Sequence, residues 1–207
     1  MATPMRQSPF VVGSSGISAT ITDMSKAMLA VVSASLLFGM QARKAPAWAV
    51  DAKVAPASVG GAPNATVFGT RVYFAGQPGQ ADFEQYAKLG VKKVINLRMP
   101  AEMQALTFDE GAAVKQAGME YVSVPFGPQP PTGGDLEKIY AALQSAGDGK
   151  VLMHCASSNR AGLAWSLFRG SQHGLNAEDA IAEGKAAGMK NPGLEKIARQ
   201  RLEALAQ

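Results

Sequence analysis

Cys155 lies in the stretch VLMHCASSNRAG (151–162), directly after His154 and five positions before Arg160; it is the only cysteine in the chain. A thiol attacks efficiently only as its thiolate. Helix N-termini and neighbouring cations favour that form, moving a cysteine from about 8.5 into the range of roughly 3.5–7.5. If an apolar strand runs into this stretch and a helix starts near Arg160, the backbone N–H groups of 156–160 can turn inward as an anion nest. Arg160, in the first turn of that helix, could reach back over the nest, its planar fork matching two oxygens of a phosphate-like or sulfate-like group. Ala156, Ser157 and Ser158 are small enough for the backbone to approach a ligand, with Asn159 and Ala161 completing the candidate binding residues. Gly162 is expected to let the helix pack tightly on the sheet. Nucleophile, oxyanion donors and clamp thus fall within six residues, an arrangement suited to covalent catalysis. Taken singly, each residue has a plainer reading: a buried apolar cysteine, a core histidine, a surface arginine. Their joint occurrence between a strand and a helix favours function.

The flanking elements must place this loop. KVLMHC (150–155) reads as an apolar strand, with a helix from about 160 to 170 after it. Upstream, 67–74 (VFGTRVYF) reads as two strands turning at Gly69 and Thr70. A helix over 80–89 closes at Gly90, and VKKVINLR (91–98) is a buried strand. A helix over 107–116 precedes the strand MEYVSVPF (119–126). GPQPPTGG (127–134) reads as a loop roofing the site, and Asp135 is placed to cap a helix running to about 146. Two further helices, over 176–187 and 193–206, read as packing elements. Strands buried on both faces and alternating with helices predict an α/β fold with a mostly parallel central sheet in a single domain. Ligands of such sheets bind outside the carboxyl ends of the strands, where CASSNR falls. Gln77 and Arg98, ending strand-like segments, are candidates for the mouth of the site.

The whole chain sets limits on these readings. With 207 residues, 47% hydrophobic and 17% charged, it has room for one ordinary domain and an appendage. One cysteine excludes an intramolecular disulfide, and with two histidines it argues against a Cys/His zinc site. The formal charge is +4, but residues 1–49 hold Arg6, Lys26, Arg43 and Lys44 against Asp23, so the body is nearly neutral. No basic run interleaved with aromatics remains there, and nucleic acid is not expected as a partner. AMLAVVSASLLFGM (27–40) is apolar and uncharged, of signal-peptide length and too short for the ~20 residues of a membrane-spanning helix. Residues 1–49 are therefore expected to be a signal, targeting or anchor segment. If the signal is cleaved the domain is exported and keeps no stable membrane span; otherwise it is anchored or cytoplasmic. Residues 50–64, rich in Ala, Pro and Gly, read as a linker to a domain over 65–207.

The loop resembles the signature of cysteine-dependent phosphatases of the protein-tyrosine and dual-specificity kind. The similarity is greatest to a bacterial branch, the phosphatase-like domain of beta-lactamase-hydrolase-like proteins and related domains fused to NAD kinase. FAGQPGQADFEQYAKLGVKKVINLRMPAE (74–102) is similar to that branch's SGQP…GVKTVINLR…E pattern, and YVSVPF with a Pro-rich loop falls where expected. The resemblance covers about residues 70–170 and implies a cysteine phosphatase fold. It implies Cys155 as nucleophile forming a phosphocysteine, Arg160 as phosphate clamp and His154 as a group that keeps the thiolate ionised. The substrate would be a phosphorylated small molecule or a phosphoprotein. No metal or organic cofactor is indicated, and nothing in the sequence speaks to oligomeric state.

The sequence also departs from that pattern. Most cysteine phosphatases place one residue more between cysteine and arginine than the four found here. Ala161 stands where Ser or Thr is common, and Ser158 where the branch tends to have a glycine, so Ser158 is expected to strain a left-handed backbone. GPQPPTGG contains no acid to protonate a leaving group. Asp135, at a helix start whose dipole favours the carboxylate, and Glu102 are the candidates. A four-residue spacing is also that of rhodanese-like sulfurtransferases, which carry a cysteine persulfide. That chemistry and a catalytically inactive phosphate-binding module stand as alternatives to phosphoester hydrolysis.

Overall fold

The computed structural model describes residues 52–127 and 129–205. The leader reading of residues 1–49 lies outside them. Six strands form one sheet: β1 (Val54–Pro56), β2 (Thr66–Phe68), β3 (Val72–Ala75), β4 (Val91–Asn96), β5 (Glu120–Ser123) and β6 (Lys150–His154). Their spatial order is β1-β2-β3-β6-β4-β5. β3, β6, β4 and β5 run parallel, while β1 and β2 add an antiparallel edge. The described helices are α1 (Asp82–Lys88), α2 (Pro100–Met103), α3 (Glu110–Gln116), α4 (Gly133–Gln144), α5 (Asn159–His173), α6 (Ala177–Ala186) and α7 (Pro192–Leu205). The expected α/β architecture is present, in one compact unit that holds all the described residues. None of the helices among them is long and apolar enough to cross a membrane.

Side-chain alternation along the central strands divides the core. Phe74, Ile95, Val151 and Met153 face α4, α5, α6 and α7, whereas Tyr73, Val94 and Leu152 face α1 and α3. Parallel strands covered on both faces have no solvated side, which is why VYFA and VLMH are continuous buried runs. α5 is buried from Ala161 through Arg169. Its Trp165 packs against Phe68, Phe74 and Phe168 with ring centroids 4.8–5.5 Å apart.

Four local readings need correction. The 50–64 segment is not simply a linker: Val54–Pro56 pairs antiparallel with β2, and Val59 is buried. An edge strand pairs on one side only, so it tolerates Pro56 and needs little apolar patterning. The 127–134 loop ends earlier than expected, because Gly133 and Gly134 already lie in α4. Thr132, not Asp135, is the N-cap; Asp135 sits at the third position and closes a capping box, accepting from Thr132 N at 2.8 Å while Thr132 Oγ1 accepts from Asp135 N at 3.2 Å.

Gly162, finally, serves a helix–helix contact and not the sheet. A Cβ there would lie 2.4 Å from Gly184 O and 2.6 Å from Met189 N, both backbone atoms at the α5–α6 crossing. In an open helix Gly→Ala gains about 1 kcal/mol, but here the clash reverses the sign. Gly162→Ala is expected to lower unfolding stability by about 1–3 kcal/mol. Urea denaturation checks it, and an unchanged or raised midpoint would show that the crossing is not close-packed.

Candidate active site

The registers Ala75↔His154 and Asn96↔His154 bring the carboxyl ends of β3, β6 and β4 level. The segments that leave these ends therefore converge. Cys155, the first residue beyond β6, is 1% exposed and forms the floor. Ala156 and Ser157 are exposed at the crest of the loop. Gln77 N–H donates to Ala156 O at 3.1 Å, and Asn64 Nδ2 to Ser157 O at 3.4 Å, so the segments before and after β2–β3 brace the loop.

Ser158 caps α5 with φ 68° and ψ −6°, the left-handed conformation expected from the resemblance. A serine there is costly. Its buried Oγ donates to Ala187 O at 2.7 Å, which offsets that cost and ties the loop to the turn after α6. Gly188, on the same turn, has no room for a side chain: a Cβ would sit 2.5 Å from Ser158 Cβ. Asn159 makes a second tie. Its Oδ1 accepts the N–H groups of Lys190 and Asn191 at 2.7 and 2.8 Å. The side chain expected to touch substrate thus holds the loop in place. Ala161 is fully buried and faces the core. The first N–H groups of α5 have no carbonyl of their own helix to bond to, which leaves donors where the loop that begins at Cys155 enters the helix.

Arg160 is fixed by Glu102, a residue 58 positions away. Nη1 donates to Glu102 Oε2 at 2.8 Å and Nη2 to Oε1 at 2.7 Å, a fork-to-fork pair, and Nη1 also reaches Phe126 O at 2.9 Å. Burial works against the guanidinium charge. The Glu102 hydrogen bonds and the charge of Cys155 outweigh it and hold Arg160 above its ordinary range. Hydrogen bonding from Arg160 in turn pulls Glu102 down to about 2, helped by the Met99 N–H and by Arg98. Glu102, considered above as a proton donor, is therefore a carboxylate that orients the Arg160 guanidinium.

The sign of this linkage gives a prediction. A carboxylate lowered from 4.5 to about 2 stabilises the fold above its unfolded value and loses that contribution as pH falls toward 2. Glu102→Gln should thus be less stable than the parent at neutral pH, with the gap shrinking below about pH 4.5. Freed from its partner, Arg160 loses its aim, and kcat/KM on an aryl phosphate should fall by roughly 10- to 100-fold. Thermal melts across pH and steady-state kinetics read the two effects; a stability gap that does not depend on pH would refute the linkage.

Behind the loop lies a buried polar chain. His154 is fully buried, with Nε2 3.2 Å from Glu110 Oε1, off the line of a well-directed hydrogen bond, and Nδ1 without a hydrogen-bond partner. Glu110 accepts from Gln77 Nε2 at 2.5 Å and from Tyr121 OH at 3.0 Å, and Asn96 Nδ2 donates to that hydroxyl at 2.7 Å. Burial opposes the Glu110 charge, yet His154, Gln77 and Tyr121 hold its carboxyl below the usual range. Gln77 accepts from Arg98 Nη1, and Arg98 Nη2 donates to Glu102 O at 3.0 Å. His154 and Arg160 are therefore connected through Glu110, Gln77, Arg98 and Glu102. Gln77 and Arg98 belong to this support and not to the mouth. Glu110, Tyr121 and Asn96 escaped the sequence reading, since no local spacing relates them to the loop. Asp135 stands apart in its capping box, and the Thr132 hydroxyl and N–H hold its carboxyl below the usual range. A carboxylate so engaged is a weak proton donor.

Beside the loop, at Ser157, Asn159 and Arg160, opens a cleft of about 680 Å³. Arg160, Asn159, Ser157 and Glu102 line it together with Met99, Leu194 and Ile197.

Comparison with known proteins agrees with the geometry. The family model described as "Beta-lactamase hydrolase-like protein, phosphatase-like domain" matches residues 67–172. A beta-lactamase hydrolase-like protein of Xylella fastidiosa is 31% identical over 120 residues, covering 57% of this chain and 28% of the relative. The chain thus spans little more than a quarter of the length of the curated relatives it matches. Among solved structures, a DUF442 protein of Shewanella putrefaciens superposes with a TM-score of 0.57 at 27% identity, covering 70% of this chain and 92% of the other. TpbA of P. aeruginosa superposes with a TM-score of 0.57 at 23% identity, covering 78% and 92%; a variant of it has been crystallised with phosphotyrosine.

Proposed function

The chain belongs to the family of phosphatase-like domains of beta-lactamase hydrolase-like proteins, and on that basis we propose that it hydrolyses phosphomonoesters through a phosphocysteine on Cys155. The observation that carries the reading is the juxtaposition of the lone thiol with a guanidinium already aimed by a bidentate carboxylate. The phosphate dianion would settle on the N–H groups that open α5 and on Arg160. The Cys155 thiolate attacks phosphorus, an S–P bond forms, and the P–O bond to the leaving group breaks with its electron pair on oxygen. Water then attacks the phosphocysteine, returning the thiolate and releasing inorganic phosphate. Arg160 and the loop donors stabilise the charge that spreads over the equatorial oxygens in both steps.

Neither Asp135 nor Glu102 is free to protonate a leaving group, since Thr132 engages one and Arg160 the other. This supports a preference for esters whose leaving oxygen is stable as an anion, aryl phosphates above alkyl phosphates. General acid catalysis contributes roughly 10²–10⁴-fold, and alkyl esters forgo it here. The phosphotyrosine bound by TpbA is an ester of the favoured class.

A paired assay tests the proposal. The purified protein should release phosphate from para-nitrophenyl phosphate, be inhibited by vanadate, and form no thiocyanate from thiosulfate and cyanide. Thiocyanate formation without phosphate release would assign the loop to sulfur transfer. Neither product, with phosphate binding that Arg160→Ala abolishes, would make it a binding module.

A further inference from the structure

We propose that Leu194 and Ile197 of α7, which line the same cleft as Arg160 and Met99, form an apolar wall that selects the leaving group of the substrate by its size and apolarity. The inference rests on the phosphatase reading above and names the residues that set its leaving-group selectivity. Leu194 and Ile197 are three positions apart and share one face of α7. Each is half-buried, with one side on the core and the other on the cleft. Met99 is 37% exposed, a flexible thioether suited to contact with a ring. The cleft, at about 680 Å³, is far larger than a phosphate group.

Charge narrows the selection further. Among the described residues, Arg160 is the only cation lining the cleft and Glu102 the only acid. A substrate with a second phosphate, such as a nucleotide or a polyphosphorylated inositol, would find no second partner there. A polar sugar would meet apolar side chains on the wall.

The wall is also held at a fixed distance from the anion loop. Asn159 accepts the N–H groups of Lys190 and Asn191. Asn191 Oδ1 in turn accepts the N–H of Gly193 at 2.8 Å at the start of α7. The same residue that follows the Ser158 cap thus anchors the helix carrying Leu194 and Ile197. This part of the chain lies beyond residues 67–172, the extent of the family match.

Binding to the Cys155→Ser protein, measured by calorimetry, separates wall from loop without turnover. Inorganic phosphate probes the loop alone, and phenyl and 2-naphthyl phosphate probe loop and wall together. The expected affinity order is naphthyl above phenyl above inorganic phosphate. Leu194→Asn combined with Ile197→Asn should weaken naphthyl phosphate by about tenfold or more and inorganic phosphate far less. Met99→Gln, at an exposed lining residue, should give the same selective loss without touching the core. Equal affinity for the three ligands, or equal weakening of all of them in both variants, would overturn the wall. Failure of the parent to bind any of the three would overturn the loop reading itself.

Discussion

Replacing Cys155 with serine is expected to reduce phosphate release by on the order of 10⁴–10⁶-fold while leaving phosphate binding in place. The substitution exchanges one atom at a site 1% exposed, so neither the loop backbone nor α5 must move. A hydroxyl has no significant alkoxide fraction at neutral pH. Neither neighbouring carboxylate is free to take its proton: Glu102 is occupied by Arg160, and Glu110 by His154, Gln77 and Tyr121. Binding depends instead on Arg160 and the N-terminal N–H groups of α5, which the variant keeps. Initial rates of para-nitrophenyl phosphate hydrolysis, with calorimetric phosphate binding on the same sample, check both halves. Retained turnover in a folded variant would remove Cys155 from the chemistry.

Arg160→Lys is the second large effect, and it concerns shape and not net charge. Lysine keeps the cation but presents a point charge in place of a planar fork. The present fork meets Glu102 through both Nη atoms and also reaches Phe126 O. An ammonium can satisfy part of that set but cannot do so while also presenting two parallel N–H bonds to a phosphoryl group. Because those bonds count most when charge spreads in the transition state, kcat should fall by about 10²–10³-fold with a smaller change in KM. Steady-state kinetics separate the two constants. A variant that loses only KM would make Arg160 a binding residue and no more.

How much could be read from residues alone follows from where the information lies. The candidate loop was legible because the cysteine, small residues and arginine are neighbours in sequence, and the strand before them is a continuous apolar run. The sheet was legible for a related reason: VYFA, VKKVIN and VLMH are buried on both faces and carry their pattern openly. β1 was not, because an edge strand paired on one side needs no such pattern. Glu102, weighed as an acid from its place after a strand, turned out to be defined by its partner across 58 positions. Glu110 and Tyr121 are set by the pairing of β4 with β5 and by the docking of α3, which no local spacing encodes. Asn159 and Gly162 were assigned to ligand and sheet. Their real partners, on α6 and the turn after it, are brought to them only by the helix crossing.

The most direct test is the covalent state of Cys155 during turnover. Protein quenched in acid seconds after mixing with para-nitrophenyl phosphate, then digested and analysed by mass spectrometry, should carry a phosphoryl group on the peptide containing Cys155 and on no other. Cys155→Ser should carry none. Phosphate release with an unmodified Cys155 peptide at every quench time, or a sulfur adduct formed there from thiosulfate in its place, would contradict the account.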